Sequence, residues 1–474
     1  MPRQPLLPGS GSVGLLVVLA LSLPVSAQTG VPGSFFSYLN GPNYCTAAPG
    51  FPAPALCTAP GEVPLGSFPL PSPGGTYIDP NFGATVRILT AAGQNRHAYS
   101  SPSVLSTTGK YALVTLNSTT TAILDTTTGA PVRQMLRTQR TWSSGEVVWD
   151  TAYDHILYYL SGYWNGVRWI NDRLMRYDIL ADTETLIRDF AQGPYYFPWI
   201  MRGGTGDMSR DGWLPFYTPD QVCVVNVRNA RTICATYTNA GGLPWTLIDF
   251  VSISKGRERT TRKHYVMMQG QPSNAMFELD AQRGRLTFLF RGPEMPYELM
   301  GNGDGDGVCE PGESCMGQSH SDTFEDAQGN QYLLRAVQLR SPCSWVLSSF
   351  RMAAGPAMAT SGRTDVALLA LCGTTPWPAM HIGCARETSY CAVTLENQPV
   401  LPEPVRNGAP YNGEIWVMRG NGLEFRRLAM HRSVIQSYYD QPRACISDNG
   451  RTVLWDSNYG VLGSQRVAVA GTGF

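Results

Sequence analysis

The chain repeats one short unit: an apolar strand, a polar turn of the Ser-x-x-Gly type and a second apolar strand. Clear copies are SVLSTTGKYALVTL at 103–116, DTFEDAQGNQYLLRA at 322–336 and RACISDNGRTVLWDS at 443–457. Further strand-like segments follow several copies, so each repeat holds about four strands over roughly 45–70 residues, which is the period of a propeller blade. The 49 glycines and 35 prolines favour many turns over long helices. The repeat therefore predicts an all-β chain.

Seven such units can be marked along the chain, and they predict a seven-bladed β-propeller. They lie near residues 97–138, 146–191, 201–240, 247–291, 320–372, 381–428 and 431–470. The strand at 84–90 precedes the first unit, and we expect it to join the last blade as its outer strand, closing the ring. A pair of β-sandwiches is the alternative, because sandwiches also give short strands at regular spacing.

Residues 1–27 have the pattern of a signal peptide. Arg3 supplies a positive charge, and residues 13–23 form an apolar run that is short for a membrane span. Val25-Ser26-Ala27 offers a small-residue cleavage site, with an uncleaved N-terminal anchor as the alternative. No later apolar run reaches the ~18 residues typical of a membrane span. We therefore expect a secreted or periplasmic protein with no membrane span after cleavage.

The remaining chain divides into two segments. Residues 28–80 are rich in proline, glycine and serine, and they predict an extended N-terminal arm. Residues 81–474 carry the repeats and predict the propeller domain.

The 11 cysteines fit an oxidising compartment, since several lie close together in sequence. The spacings suggest four local disulfides, Cys45–Cys57, Cys223–Cys234, Cys309–Cys315 and Cys384–Cys391. An odd count leaves at least one thiol over, and we expect it to be Cys445, buried in a strand.

Residues 302–313 (NGDGDGVCEPGE) have the spacing of a calcium loop. Calcium takes about 6–8 oxygen ligands, and such a loop places them at fixed positions around one ion. The predicted ligands are Asn302, Asp304, Asp306, the Val308 carbonyl, Glu310 and Glu313, with Gly307 at the sharp turn. The loop falls between the fourth and fifth units without flanking helices, so it predicts a stabilising insertion that binds calcium.

Four of the six histidines open a repeat: His97, His320, His381 and His431. In a propeller the innermost strands line a central channel, so we expect these rings to converge near the axis. Their polar neighbours include Tyr99, Asp322, Arg432, Tyr438, Gln441 and Arg443. Such a group can bind a transition metal or carry out acid–base chemistry on an anionic substrate. The alternative is that each polar residue only hydrogen-bonds buried backbone, and we expect this for His155 and His264.

The segments HAYS…SVLSTTGKYALV, HSDTFEDAQGN and HRSVIQSYYDQPRACISDNGRTVLWDSN together resemble secreted bacterial propellers of the TolB-like type. Within that superfamily the chain is distantly similar to oligogalacturonate lyases. The resemblance implies a divalent metal on the axis, usually manganese, held by histidines and a glutamine. The matching positions are His320, His381, His431 and Gln441. Where the family has histidines just after that glutamine, this chain has Arg443 and Cys445.

Two functions follow as hypotheses. The first is an exported, calcium-binding propeller that binds an acidic polysaccharide or another envelope protein. Eleven tryptophans and 22 tyrosines suit such a role, because aromatic side chains anchor ligands and interfaces. Lysine plus arginine equal aspartate plus glutamate at 36 each, so the chain lacks the basic field that nucleic-acid binding needs.

The second hypothesis is a polysaccharide lyase that cleaves uronate-containing glycans by β-elimination. Arg432, Arg443 or a metal would neutralise the uronate carboxylate and so acidify the C5 proton. A histidine or tyrosine would take that proton, and a second acid or water would serve the leaving oxygen. The candidates for this acid–base work are His97, Tyr99, His431 and Tyr438.

Overall fold

We analysed a computed structural model of the chain. It describes residues 70–80, 82–97, 104–136, 147–164, 169–191, 208–218, 221–236, 247–271, 275–291, 321–338, 343–353, 366–372, 380–395, 413–420, 425–435 and 440–474. The calcium loop, the signal peptide, most of the arm and the pairs Cys45–Cys57 and Cys309–Cys315 lie outside these ranges. In the described ranges the regular structure is entirely β-strand, which confirms the all-β prediction.

The strands form seven antiparallel sheets in chain order. The first four sheets contain β3 (Tyr111–Leu116), β4 (Thr120–Asp125) and β5 (Pro131–Leu136); β6 (Val147–Trp149), β7 (Ile156–Trp164), β8 (Trp169–Asp178) and β9 (Thr183–Asp189); β10 (Trp213–Tyr217), β11 (Gln221–Asn226) and β12 (Thr232–Thr236); and β13 (Leu247–Ile253), β14 (His264–Gln271), β15 (Ala275–Asp280) and β16 (Arg285–Arg291).

The last three sheets include the chain's N-terminal strands. They contain β17 (Ser321–Glu325), β18 (Gln331–Gln338), β19 (Cys343–Arg351) and β20 (Val366–Cys372); β21 (Met380–Cys384), β22 (Tyr390–Leu395), β23 (Glu414–Arg419) and β24 (Phe425–Met430); and β25 (Cys445–Ile446), β26 (Thr452–Ser457) and β27 (Arg466–Gly471) with β2 (Thr85–Ile88) and β1 (Thr76–Ile78). Seven blades for the whole chain stay a prediction, because several connecting segments lie outside the described residues.

The N-terminal strand closes the last sheet, as expected. Val86 pairs with Ala470 and Ile88 with Ala468, so β2 continues the seventh sheet beyond β27. One further strand, β1, pairs with the outer side of β2. It falls within residues 28–80, the segment predicted to be an extended arm. Tyr77 holds β1 in place, because its hydroxyl lies 3.3 Å from the Tyr459 hydroxyl.

The first strands of successive sheets contact one another, as they must if they surround a central axis. Such contacts join β10 to β13, β13 to β17, β17 to β21 and β21 to β25. In the first sheet the segment before β3 takes this place irregularly, since Arg96 and Leu105 form isolated bridges to Thr115 and Ala112. The innermost positions are thus occupied by short strands and by this irregular segment.

Apolar clusters fill the spaces between neighbouring sheets. One cluster joins the seventh, first and second sheets through Leu454, Leu113 and Trp149, and another joins the sixth and seventh through Trp455. Similar clusters lie between the second and third, third and fourth, and fourth and fifth sheets. Each fully buried large apolar side chain contributes about 1.5–3 kcal/mol. The strands alternate or are buried on both faces because each sheet packs between two others.

A closed series of polar contacts links the sheets near the turns that follow their first strands. In order around the ring these are Thr107 Oγ1 to Asp150 O (2.6 Å), Thr151 Oγ1 to Arg210 O (3.0 Å), Arg210 N to Lys255 O (2.8 Å), Lys255 Nζ to Asp322 Oδ1 (3.0 Å), Cys384 N to Asp322 Oδ2 (2.7 Å), Glu387 N to Asp448 O (2.9 Å) and Asn449 N to Thr107 O (3.1 Å). Each contact joins one sheet to the next, and the last returns to the first. We call this end of the ring the turn end.

A buried ion pair fills part of the turn end. Arg386 follows β21, and its Nε and Nη2 atoms lie 2.7 and 2.6 Å from the two carboxylate oxygens of Asp448. Its Nη1 atom donates to the carbonyl of Trp149 on the second sheet at 3.1 Å. Both partners of the pair are about 1% exposed. One arginine therefore ties the sixth, seventh and second sheets together.

Two predicted disulfides are confirmed. Cys223 pairs with Cys234 across β11 and β12, and Cys384 pairs with Cys391 across β21 and β22. Cys445 is a fully buried thiol in β25, as expected. Disulfides of this kind persist in oxidising, extracytoplasmic compartments. The described residues include no helix long and apolar enough to cross a membrane.

Candidate functional site

Three of the predicted site side chains lie outside the described residues: Tyr99, His320 and Tyr438. The same holds for the calcium ligands Asn302, Asp304, Asp306, Val308, Glu310 and Glu313. Their roles stay predictions. The structure places His97, His381, His431, Arg432, Gln441 and Arg443, and it separates them into two groups.

The first group forms where the first, sixth and seventh sheets meet. His381 lies on β21, and Arg443 lies two residues before β25. Cys445 pairs with Leu454, so the antiparallel register places Arg443 opposite Asp456 of β26. His97 directly follows Arg96, which bridges to β3. The side chains of His97, His381, Arg443 and Asp456 are all buried.

Asp456 and His97 contact each other twice. The His97 backbone N–H donates to Asp456 Oδ1 at 3.0 Å, and His97 Nε2 lies 3.8 Å from Asp456 Oδ2. The sheet therefore presents a carboxyl group to both the backbone and the ring of one residue. Asp456 is absent from the residues predicted from sequence.

Burial controls the charge of this first group. Burial raises the pKa of Asp456 to about 8, although the His97 backbone N–H, Arg443 and Arg96 all act in the opposite direction. Burial, assisted by the charge of Arg443, holds the pKa of His381 well below its usual value. At neutral pH we therefore expect a protonated Asp456 and an uncharged His381 beside one permanently charged guanidinium.

Arg443 is held by short polar contacts on both sides of its own position. Its Nη2 atom donates to Gln441 Oε1 at 3.3 Å. The backbone N–H of Ala444 donates to Thr394 Oγ1 at 2.7 Å, and Thr394 is the strand partner of His381. The sixth sheet thus fixes the segment that carries Arg443. This contact also fixes the position of that segment relative to His381.

Both ring nitrogens of His431 have hydrogen-bond partners. Its Nδ1 atom accepts the backbone N–H of Ser433 at 3.0 Å, and its Nε2 atom lies 2.9 Å from the Leu395 carbonyl oxygen. Nε2 must therefore carry the ring proton. Burial lowers the pKa of His431 to about 3, although the hydrogen bond to Leu395 favours the charged form. A ring with both nitrogens engaged offers no lone pair to a metal or a substrate.

Arg432 belongs to the second group, at the outer edge of the seventh sheet. Its Nη2 atom lies 3.7 Å from Asp79 Oδ2, and both side chains are almost fully buried. Asp79 directly follows β1 and also accepts the backbone N–H of Met430 at 3.2 Å. These contacts fasten the N-terminal strand to the sixth sheet. The role of Arg432 at a substrate carboxylate stays a prediction.

The described residues do not fit the axial metal set that the resemblance implied. His431 has no open nitrogen, and Gln441 Oε1 already accepts a hydrogen bond from the Arg443 guanidinium. A guanidinium beside His381 would also repel a divalent cation. Within the described ranges no three histidine, cysteine, aspartate or glutamate side chains are grouped as metal ligands. His320, the remaining member, lies outside those ranges.

One other group has the order of a catalytic triad but not its hydrogen bonding. His264 Nε2 lies 2.9 Å from Asp211 Oδ1, and its Nδ1 lies 3.2 Å from Ser254 Oγ. Ser254 is fully buried and accepts the backbone N–H of Tyr265 at 3.1 Å, while its hydroxyl lies 2.8 Å from the Gly256 carbonyl. A nucleophilic serine gives its proton to the histidine, whereas the Ser254 hydroxyl donates to a backbone carbonyl. The group therefore stabilises a turn, consistent with the structural role expected for His264.

The residue that sequence reasoning missed, Asp456, left a weak signal. The strand Thr452–Ser457 reads TVLWDS, with an acidic residue inside an otherwise buried run. A carboxyl group in a strand buried on both faces is unusual unless it has a partner. That partner, His97, lies 359 residues away in sequence, so the pattern of one strand could not identify it.

Comparisons with known proteins support the fold. No family model matches the chain, and no curated protein matches it. Among solved structures, an oligogalacturonate lyase in complex with manganese aligns with a TM-score of 0.51 and 14% identity, covering 85% of this chain and 96% of that one.

Two further solved structures align at lower TM-scores. The oligogalacturonate lyase of Vibrio parahaemolyticus has a TM-score of 0.49 and 12% identity, covering 84% of this chain and 96% of that one. The Cps50 (Swd1) β-propeller domain of Myceliophteria thermophila has a TM-score of 0.41 and 8% identity, covering 80% and 98%. At such identities a likeness concerns the fold alone, and together with the sheet arrangement the first of these alignments shows that this chain is a β-propeller.

Proposed function

We propose that this chain is an exported lyase that cleaves uronate-containing glycans by β-elimination at the group formed by Arg443, His97, His381 and Asp456. One observation carries the proposal. A buried guanidinium lies beside a neutral histidine and a carboxyl group whose pKa is about 8, so the group keeps positive charge at neutral pH. That charge suits a ligand carboxylate.

In the proposed reaction Arg443 binds the uronate carboxylate and spreads the charge that develops when the C5 proton leaves. Stabilising that charge is usually the largest catalytic contribution in such a step. His97 takes the C5 proton, the C4–O bond breaks, a C4–C5 double bond forms, and the leaving oxygen takes a proton. Tyr99 and Tyr438, predicted from sequence, remain candidates for the proton donor. We derive no step through a metal, because the described donors do not fit one.

The test is an assay of the full chain against uronate oligosaccharides and polysaccharides, followed by the absorbance of the unsaturated product. We expect product from at least one uronate substrate and none from a neutral glycan of the same length. Binding of an acidic glycan without an unsaturated product would favour the exported binding propeller instead. Neither binding nor product with any uronate would contradict both.

Calcium binding at residues 302–313 is part of the proposal. We expect purified protein to hold about one calcium per chain, because the loop supplies a full set of oxygen ligands. Elemental analysis checks this, and replacing both Asp304 and Asp306 by asparagine is expected to remove the calcium. The matched control is Asp326→Asn, which alters an aspartate in the turn after β17 outside the loop. Calcium retained by the double variant would show that the ion binds elsewhere.

The same analysis measures manganese. The likeness to a lyase solved with manganese leaves a divalent metal open, but the described donors do not fit the implied set. We therefore expect no stoichiometric manganese. Manganese that disappears in His381→Ala would overturn that expectation.

A further inference from the structure

Positive charge is concentrated in four turn segments of the third and fourth sheets at the turn end. These segments are residues 209–212, 227–231, 254–263 and 280–285, and together they hold ten arginine and lysine residues against three acidic ones. Across the whole chain the two classes are equal at 36 each. The turn end of these two sheets therefore has a local excess of positive charge. We call the exposed part of the four segments the arginine surface.

Hydrogen bonds join these segments to one another and to the second sheet. Arg231 of the third sheet donates from Nη1 to the Ala281 carbonyl of the fourth sheet at 2.5 Å. On the other side, Arg228 Nη2 donates to Thr151 Oγ1 in the turn of the second sheet at 2.8 Å. The arginine surface is therefore continuous from one sheet to the next.

The acidic residue within the longest segment does not neutralise this surface. Glu258 is the sole acidic residue of the stretch 254–263 and is fully buried. One of its carboxylate oxygens accepts Arg351 Nη2 at 2.7 Å, and the other accepts the Gln331 backbone N–H at 2.8 Å. Its charge is thus used inside the ring, and the exposed side chains around it are arginines and threonines.

The other two acidic residues are also engaged. Asp211 pairs with Arg257, and Asp280 pairs with Lys263. Within the described part of the chain, five exposed arginines of the surface have no carboxylate at ion-pair distance. They are Arg228, Arg231, Arg259, Arg262 and Arg285. Their charge is available to an anionic partner, because an exposed guanidinium can form two parallel bonds to a carboxylate without leaving water.

An exposed aromatic ring borders the arginine surface. Tyr153 is 55% exposed and lies two residues after Thr151, which accepts the hydrogen bond from Arg228. A phenol ring has an apolar face and a polar edge, which suits the face of a sugar ring. The disulfides fit an extracytoplasmic protein, for which an acidic glycan is a more accessible polyanion than a nucleic acid.

We propose that the arginine surface binds an acidic glycan, whose carboxylates pair with the exposed arginines while a sugar ring packs on Tyr153. The candidate site lies toward the other end of the ring, since His381 is near the start of β21 and Arg386 of the turn end follows that strand. The surface can therefore hold a long glycan without occupying the candidate site. The proposal goes beyond the proposed function, because binding here requires no cleavage.

The first test is the affinity for polygalacturonate of a variant that combines Arg259→Gln, Arg262→Gln and Arg283→Gln. It is compared with its parent protein, and both carry Arg443→Gln so that neither cleavage nor the candidate arginine contributes. We expect the affinity to fall about tenfold, because three exposed ionic contacts are lost. The remaining binding should also depend less steeply on salt, since fewer charges are screened.

The matched control removes the same three charges elsewhere, in Arg173→Gln, Arg451→Gln and Arg466→Gln. These arginines are exposed or partly exposed and lie outside the four segments. We expect this variant to keep the affinity of its parent. An equal loss in both triple variants would overturn the proposal, because net charge and not this surface would then hold the glycan.

The second test separates a glycan from a simple polyanion. Tyr153→Ala should weaken the binding of polygalacturonate and leave the binding of polyglutamate of equal length unchanged, because polyglutamate has carboxylates but no sugar rings. An equal effect on both polymers would contradict a glycan site. Duplex DNA that binds more tightly than polygalacturonate, and is lost in the first triple variant, would contradict it too.

Activity separates this proposal from the lyase. With Arg443 intact, the first triple variant should cleave short uronates as the wild type does, because its substitutions lie far from His381. Cleavage by the wild type together with unchanged polymer affinity in the triple variant would overturn the glycan surface and leave the lyase standing. Absence of cleavage, with the expected loss of polymer affinity, would do the reverse.

Discussion

Replacing Asp448 by asparagine is expected to lower the free energy of unfolding by about 3–5 kcal/mol. Asparagine has the shape of aspartate but no charge, so the buried Arg386 guanidinium loses its counterion. Breaking a buried ion pair on one side is far more damaging than losing an exposed one. The loss should also loosen the ring, because Asp448 Oδ2 accepts the Thr107 hydroxyl at 3.1 Å as well. Denaturant unfolding of the purified variant measures the change.

Two controls separate charge from shape. Asp154→Asn changes a partly exposed aspartate that accepts the Thr108 backbone N–H at 2.8 Å, and it should lose no more than about 1 kcal/mol. Removing both charges, in Arg386→Met with Asp448→Leu, should recover much of the loss, since neither ion is then left unpaired. If Asp448→Asn were no less stable than Asp154→Asn, the ion pair would not hold the ring together.

The fold was predictable from sequence because its signals are local. Each Ser-x-x-Gly turn and its flanking strands lie within about 15 residues, and the turn residues favour tight reversals by themselves. The copy at 443–457, for example, places its turn between β25 and β26, where the structure has it. Closure by β2 was predictable too, because one strand was left over at the N-terminus.

The site was only partly predictable, because residues at equivalent positions in the repeats do not all lie at equivalent places in the structure. His381 lies on the first strand of its sheet, whereas His431 directly follows β24, well before β25 begins at Cys445. Both histidines open a repeat in sequence, yet only His381 lies beside Arg443. Position along the repeat therefore did not reveal the separate contacts of His431 and Arg432.

Contacts between residues of distant blades could not be predicted from the sequence. Arg386 reaches Trp149 across the ring, 237 residues away. A buried charge needs a partner, but a single sequence does not say which blade supplies it. Asp456 was missed for the same reason, since only its contact with His97 marks it as part of the candidate site.

Replacing Arg443 by glutamine should reduce kcat/KM for a uronate substrate by about 10²–10³-fold, the loss typical of removing a group that stabilises developing charge. Glutamine is similar in reach and can still hydrogen-bond Gln441, but it carries no charge. Arg443→Lys should restore only part of the activity, because a lysine ammonium cannot hold a carboxylate through two parallel bonds. Initial rates of unsaturated product formation measure all three proteins.

The control is Arg432→Gln, which removes a guanidinium that is equally buried but paired with Asp79 at the outer edge. We expect it to lose stability and to keep its turnover per folded molecule, since Asp79 and not a substrate faces that arginine. We therefore expect Arg443→Gln to lose activity and Arg432→Gln to lose stability, although the sequence analysis assigned both arginines to one site. If Arg432→Gln lost turnover while Arg443→Gln kept it, the candidate site would have to move to the edge of the seventh sheet. Loss in Arg443→Gln alone would place the anion-binding charge between His381 and Asp456.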